Sequence, residues 1–332
     1  MDALAEPQTA ATPALTAKAR ALVEGRQGEW ERVEAVAEYV QKIHYISIQT
    51  GVAHGGGYKP HAAGDVFAKS YGDCKDKANL LRTMLREVGV QAHLVSITAD
   101  DRDYVREEWP SPRQFNHCIA AVEVSDSIRS PAVMETGGKR LLIFDPTDPT
   151  TPLGRIPYDE QSSLALLVAG PSSDLIRVPG SSTRENGITR TMEGRLEADR
   201  TLTAKLVERA VGRDATLRRR SYRTLNPAEY RKSMERWISE GIPGATLATL
   251  SAKDEWRENR FDLEIEFRVP GYARTLPGGL LVLQQPRLEP AEWKPRAEKR
   301  MTPVQLPGSY YSEVTELRIP EGFAAEECPD SV

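Results

Sequence analysis

The chain has 332 residues, 39% of them apolar and 28% charged, with a formal net charge of −4. That is the make-up of a folded chain of about two domains; no run approaches the ~18 apolar residues of a membrane helix, and the balance of charge gives no basis for nucleic-acid binding. The three cysteines, Cys74, Cys118 and Cys328, are too few and too unevenly numbered for a disulfide framework, so each stands as a single thiol.

Residues 1–14 read as a linker or a trimmed start, with neither the basic beginning nor the apolar core of a secretory signal. Residues 15–24 and 28–44 read as helices; in the second, Trp30, Val33, Ala37, Val40 and Ile43 recur at helical spacing. Tyr45 to Ile48 extends into a loop containing Gly51, Gly55, Gly56, Gly57, Pro60 and Gly64. Its triple glycine is a turn, since no Gly-Lys-Ser/Thr follows to cradle a phosphate. The next helix opens at Gly72-Asp73-Cys74 with Asp73 as its N-cap. Its apolar face runs through Leu81, Met84, Leu85 and Val88, and Gly89 ends it. Residues 90–98 predict a strand, 100–114 a polar loop around Trp109, 116–124 a second strand and 140–144 a third. A Ser-, Pro- and Gly-rich stretch at 172–186 predicts a linker between a core at 15–171 and a second domain at 187–332. There, 187–208 reads as two strands, 226–240 as the main helix, and 261–269, 280–283 and 314–319 as further strands. The expected fold class is α+β: helices with a small antiparallel sheet, then a β-rich domain with one main helix. The chain stops just after a strand, as an excerpt of a longer protein would.

The residues that carry chemistry begin with Cys74. A thiol attacks an amide as its anion, and a helix N-terminus favours that anion through unpaired N–H groups and the helix dipole. His117, near the start of a predicted strand, is the candidate base. If strands 116–124 and 140–145 pair antiparallel about a turn near residue 131, Asp145 lies opposite His117 and can accept from its imidazole. Plainer roles stay open: Asp145 can start the turn Asp145-Pro146-Thr147-Asp148, and a lone histidine is more often structural. Cys118, inside a strand, reads as a small buried hydrophobe. His44, His54, His61 and His93 show no His-x3-His spacing, and no Cys-x2-Cys pair exists, so no metal is expected. Arg213, Arg218, Arg219, Arg220, Arg223, Arg231, Lys232 and Arg236 read as a solvated basic face. Trp109 and its neighbouring prolines, in the loop before His117, are expected to wall a substrate cleft.

The tracts Tyr71-Gly72-Asp73-Cys74-Lys75-Asp76-Lys77-Ala78, Phe115-Asn116-His117 and Phe144-Asp145-Pro146-Thr147 resemble the transglutaminase-like superfamily. That family has a papain-like core with Cys on a helix, then His and Asp on successive strands. The first tract resembles a bacterial branch whose core lies between two β-rich domains of unknown function, and the core likeness spans residues 28–170. The resemblance implies acyl transfer or hydrolysis on a protein or peptide amide through a thioester. It implies Cys74 as nucleophile, His117 as base and then acid, and Asp145 as orienter. The backbone N–H of Cys74 is one expected oxyanion donor, and Gln49 or Tyr45 the second; Trp30 belongs to the apolar helix face. Animal members need calcium, but bacterial relatives generally do not and no EF-hand-like acidic loop occurs here, so no cofactor is expected. The implied partner is a protein or peptide substrate, without nucleic acid or membrane insertion; the oligomeric state stays open. Relatives of this branch are commonly exported, which implies the periplasm, with the cytoplasm as alternative. Two rival readings are a catalytically silent peptide-binding or assembly module on the same fold, and an N-acetyltransferase-like enzyme with a similar triad.

Overall fold

The chain opens on a short helix, α1 (Asp2–Ala5), and a 3-10 turn over Glu6–Thr9. The computed structural model describes residues 1–47, 57–284, 286, 288 and 308–325 and divides into two compact units, Met1–Ser181 and Ser182–Val332.

In the first unit, α2 (Pro13–Val23) is capped by Thr12, whose side chain accepts from Leu15 N at 3.3 Å. It is followed by α3 (Glu29–Gln41) and the short strand β1 (His44–Tyr45). After α4 (Ala63–Lys69), strand β2 (Tyr71–Gly72) pairs in parallel with β1 and leads into α5 (Cys74–Arg86). The start of α5 is fixed by a capping box: Asp73 accepts from Asp76 N at 3.3 Å, and Asp76 accepts from Asp73 N at 3.2 Å. Ala78, Leu80, Leu81, Met84 and Leu85 are fully buried along α5. Each of the larger ones contributes roughly 1.5–3 kcal/mol relative to exposure, which anchors α5 in the core of the unit.

Six antiparallel strands complete the unit: β3 (Ala92–Ile97), β4 (His117–Glu123), β5 (Val133–Thr136), β6 (Lys139–Phe144), β7 (Leu164–Val168) and β8 (Asp174–Arg177), in the spatial order β5-β6-β4-β3-β7-β8. Strand β4 lies between β3 and β6, and α5 packs on β3 and β4. Strand β4 starts at His117, and β6 ends one residue before Asp145.

Three expectations change. Residues 1–14 are not a bare linker: Ala5 is fully buried, Glu6 pairs with Arg82 and Arg86 of α5, and Asn79 donates to Gln8 O at 3.0 Å. Ionic anchoring of this kind leaves no apolar periodicity to read. Residues 172–186 include β8, which carries the sheet past the expected linker start by pairing with β7. The pairing of β4 with β6 is antiparallel as expected, but its register aligns Ala120 with Phe144 and Ala121 with Ile143. That lies two residues from the expected alignment, because the connection contains the hairpin β5-β6. A slip of two keeps every side chain on its face, so His117 and Asp145 become diagonal neighbours on one side of the sheet.

The second unit is a five-stranded sheet in the order β11-β12-β10-β9-β15, built from β9 (Gly187–Leu196), β10 (Leu202–Val211), β11 (Thr246–Glu255), β12 (Arg260–Val269) and β15 (Tyr310–Arg318). The last is parallel to β9, the other pairs are antiparallel, and β13 (Arg274–Thr275) forms a small hairpin with β14 (Leu281–Val282). Here too one expectation changes. Beside α7 (Pro227–Gly241), capped by Asn226, stands a further helix, α6 (Arg213–Thr224). Of the supposed basic face, Arg213 to Arg223 lie on this helix and Arg231, Lys232 and Arg236 on α7, and it is not all solvated. Arg219 is fully buried, donating to Asp254 at 2.7 Å and Asn259 at 3.0 Å against the ring of Trp256. Arg218 donates to Glu208 at 2.7 Å, and Arg223 to Asp254 at 2.8 Å. A guanidinium occupies the place an apolar side chain would mark, which hides the helical period.

Candidate functional site

Cys74 is the first residue of α5, half-buried, directly after the Asp73 cap. The cap satisfies the Asp76 N–H, so the N–H groups of Cys74 and Lys75 are the ones left pointing out of the helix end. Lys75 and Asp73 form a buried ion pair that braces the cap, and His61 adds a second brace, donating from its backbone N to Asp76 Oδ1 at 2.8 Å. One turn further along, the buried Lys77 donates to Gln41 O at 3.1 Å and Ile43 O at 2.7 Å. This ties the front of α5 to the segment that enters β1. Burial brings the Lys77 amine down to about 8, with the Asp145 charge opposing the fall.

His117 opens β4. Its Nε2 stands 3.2 Å from Asp145 Oδ2, 3.4 Å from Thr147 Oγ1 and 3.6 Å from Glu160 Oε1. With Nε2 turned to the carboxyl groups, Nδ1 is the ring nitrogen left to face Cys74, whose side chain is among the causes that raise the imidazole. Burial disfavours charge on the imidazole, but the Asp145 hydrogen bond, the Cys74 side chain and the Asp145 charge outweigh it; the result is pushed up to about 11. Burial likewise disfavours charge on Asp145. Its hydrogen bond and ion pair with His117, together with the Thr147 N–H at 2.7 Å from Oδ1, hold it below the ordinary carboxylate range.

Glu160, on a 3-10 turn over Tyr158–Glu160, was not singled out from the sequence. Burial first, and the Asp145 charge second, push its carboxyl well above the ordinary range. Donor atoms of His117, Asp145 and Glu160 lie within 4.8 Å of one another, the one such group among the described residues. The imidazolium of His117 is itself a cation at that point. Nothing in the local sequence marks Glu160; the one available hint is an acidic pair, Asp159-Glu160, in an otherwise uncharged stretch beside Tyr158.

The other sequence candidates fall as follows. Tyr45 lies opposite Gly72 in the β1–β2 pair, two residues before Cys74 in register. Burial, then the Cys74 and Asp73 charges, raises its phenol above the usual value, so it remains a donor. Gln49 lies outside the described residues, as does Cys328. Trp109 is 70% exposed, and its carbonyl accepts from Gln114, whose amide also accepts from Arg106 N at 2.7 Å and so organises the loop before β4. Trp30 packs against the first unit's core. Cys118 is buried, and burial pushes its thiol well up. His93 pairs with Glu123 at 2.7 Å and His61 with Asp76 at 2.9 Å. A cavity of about 250 Å³ opens beside the α5 cap, lined in part by Ile46, His61, Val66, Tyr71 and Asp73. No described helix is long and apolar enough to cross a membrane.

Residues 16–127 match the family model described as the transglutaminase-like superfamily. The matched span contains Cys74 and His117; Asp145 and Glu160 lie beyond it. No curated protein matches the chain. Among solved structures it is similar to a “putative protease” from Parabacteroides distasonis, at 13% identity and a TM-score of 0.40, over 81% of this chain and 52% of that one. It is also similar to a “putative cysteine protease” from Cytophaga hutchinsonii, at 15% identity and a TM-score of 0.31, over 53% of this chain and 51% of that one. The chain thus spans about half the length of either structure.

Proposed function

We propose that this chain acts on protein or peptide amides through a thioester at Cys74; in support, residues 16–127 match the transglutaminase-like superfamily model, a type associated with cysteine protease and acyltransferase chemistry in general. The observation that carries the reading is His117 Nε2 held 3.2 Å from Asp145 Oδ2 at the start of β4, the strand on which α5 packs, with the Cys74 side chain and Asp145 both favouring the imidazolium. A cation beside the sulfur favours the sulfur anion.

In this mechanism the Cys74 sulfur adds to the amide carbon and the C=O pair moves onto oxygen. The backbone N–H of Cys74, at the front of α5, meets that oxyanion, and Tyr45 is the candidate for the second donor. His117 then gives its proton to the departing amine as the C–N bond breaks, leaving a thioester and a neutral imidazole. The imidazole takes a proton from water or from an amine as either adds to the thioester, and the sulfur leaves as an anion. Asp145 stabilises the imidazolium formed at both stages and fixes the ring so that Nδ1 faces the sulfur. Water as acceptor gives hydrolysis and an amine gives a new amide.

Alkylation with a limiting thiol probe tests the reading. Cys74 is expected to react at least about tenfold faster than the buried Cys118, and its own rate should fall about tenfold in His117→Ala while Cys118 stays slow in both. Equal reaction of the thiols, or undiminished selectivity without His117, would favour a silent binding module.

A further inference from the structure

We propose that Glu160 is a fourth member of this site, a neutral carboxylic acid that shares one proton with Asp145 and positions that carboxylate against His117. The inference rests on the thioester reading for its functional meaning, but its physical content stands on geometry alone.

The side chains of Asp145 and Glu160 are each 4% exposed, and both approach the same imidazole nitrogen, at 3.2 and 3.6 Å. Two carboxylates so placed cannot both carry charge away from water, so one must hold a proton. The hydrogen-bond donors decide which. Asp145 receives the Thr147 N–H at 2.7 Å, the Thr147 hydroxyl at 3.0 Å and the His117 ring. Glu160 Oε2 is buried with no donor directed to it. An anion without donors is the costly arrangement, whereas the protonated acid is itself a donor, and Asp145 is the adjacent acceptor. The charge therefore sits on Asp145 and the proton on Glu160, in line with the directions in which the two groups are displaced. The other charged groups that face the pair do not alter this. Asp148 is occupied by Thr150 and Thr151 hydroxyls and adds further negative potential, and the Lys77 amine is committed to the carbonyls of Gln41 and Ile43. His117 and Cys74 complete the set, and the site closes as one imidazolium, one carboxylate, one acid and one sulfur.

The acid has two effects on the site. By donating to Asp145 it narrows the carboxylate's freedom and so fixes the imidazole that Asp145 holds. By remaining neutral it limits the negative charge behind His117, so that the ring can still release its proton to a leaving group.

The test uses the whole chain. Infrared spectra at pH 7 should contain the carbonyl stretch of a buried carboxylic acid in the unsubstituted protein and in Cys74→Ala, and lack it in Glu160→Gln. This signal needs no turnover: its absence overturns the proposal and leaves the thioester reading standing, while its presence with an inert Cys74 does the reverse. Alkylation of Cys74 then tests the positioning. Glu160→Gln keeps a neutral donor and should stay within about threefold of the unsubstituted rate with an unmoved pH profile. Glu160→Leu should slow the reaction about tenfold, the weight of one hydrogen bond, and raise the acid limb of the profile as Asp145 loses a donor. A Glu160→Gln variant in which His117 releases its proton at markedly lower pH would mean that Glu160 is ionised, and overturns the proposal. So would a folded Glu160→Leu protein with unchanged rate and profile, or a divalent ion bound one per chain that abolishes the infrared band.

Discussion

Replacing Asp145 with asparagine is expected to lower sharply the pH at which His117 gives up its proton. The substitution keeps the side chain's shape, and the amide oxygen can go on accepting from the Thr147 N–H, which lies 2.7 Å from Oδ1. What is lost is the negative charge 3.2 Å from Nε2. The rise of the imidazole from 6.5 to about 11 corresponds to roughly 6 kcal/mol of preference for the charged ring, at about 1.4 kcal/mol per pH unit. Burial acts against that preference, so the favourable interactions total more than this, and Asp145 supplies the leading hydrogen bond and the leading charge. Losing them should bring the titration down by at least about two pH units. Glu160 sets a floor: relieved of the Asp145 charge, it can ionise 3.6 Å from Nε2 and restore part of the effect. The double variant Asp145→Asn/Glu160→Gln removes that relief and should bring His117 to its ordinary value or below. Nitrogen-edited NMR of the ring reads the titration directly. The sign for stability follows from linkage. Because the folded value is the higher one, the ion pair's contribution is complete below pH 6.5 and disappears as the pH climbs to about 11. The unsubstituted protein should therefore exceed Asp145→Asn most at pH 6 and approach it in strong alkali. An imidazole that titrates near 6.5 in the unsubstituted chain, or one that ignores the loss of Asp145, refutes the reasoning.

Three further outcomes are expected. Tyr45→Phe keeps the ring opposite Gly72 but removes its hydroxyl; if that hydroxyl meets the oxyanion, kcat should fall by about 10²–10³ with KM little changed. A loss confined to KM would assign Tyr45 to substrate binding instead. Asp73→Ala removes the α5 cap and strands the buried Lys75 amine without its partner. The combined cost of roughly 3–5 kcal/mol should lower the melting of the first unit, where Asp73→Asn should lower it less. Trp109→Ala, at a 70% exposed position, should raise KM for a peptide substrate while leaving the melting temperature in place; unchanged KM would remove Trp109 from the cleft.

Much of the site's neighbourhood is written in local chemistry. Asp73 announces the front of α5, and Leu81, Met84 and Leu85 announce its buried face, because a cap and a helical period act within a few residues of one another. The alternation of β12 and the Asn226 cap of α7 are legible for the same reason. By contrast, α6 is marked by a buried arginine whose partners, Asp254 and Asn259, come from another part of the chain, and the N-terminal segment by ion pairs to α5. Neither leaves a periodic trace.

The amino-acid sequence by itself determined that a cysteine would stand at the front of an amphipathic helix, that a histidine would stand near the start of a strand, and that an aspartate would follow the end of another. These are consequences of propensity, capping and alternation, which need only neighbouring residues. Tertiary structure alone decided the two-residue shift in register that makes His117 and Asp145 diagonal partners, and the arrival of Glu160 behind them from a distant turn. Both depend on how strands and loops close in space, where burial turns two ordinary acids into one charge and one proton.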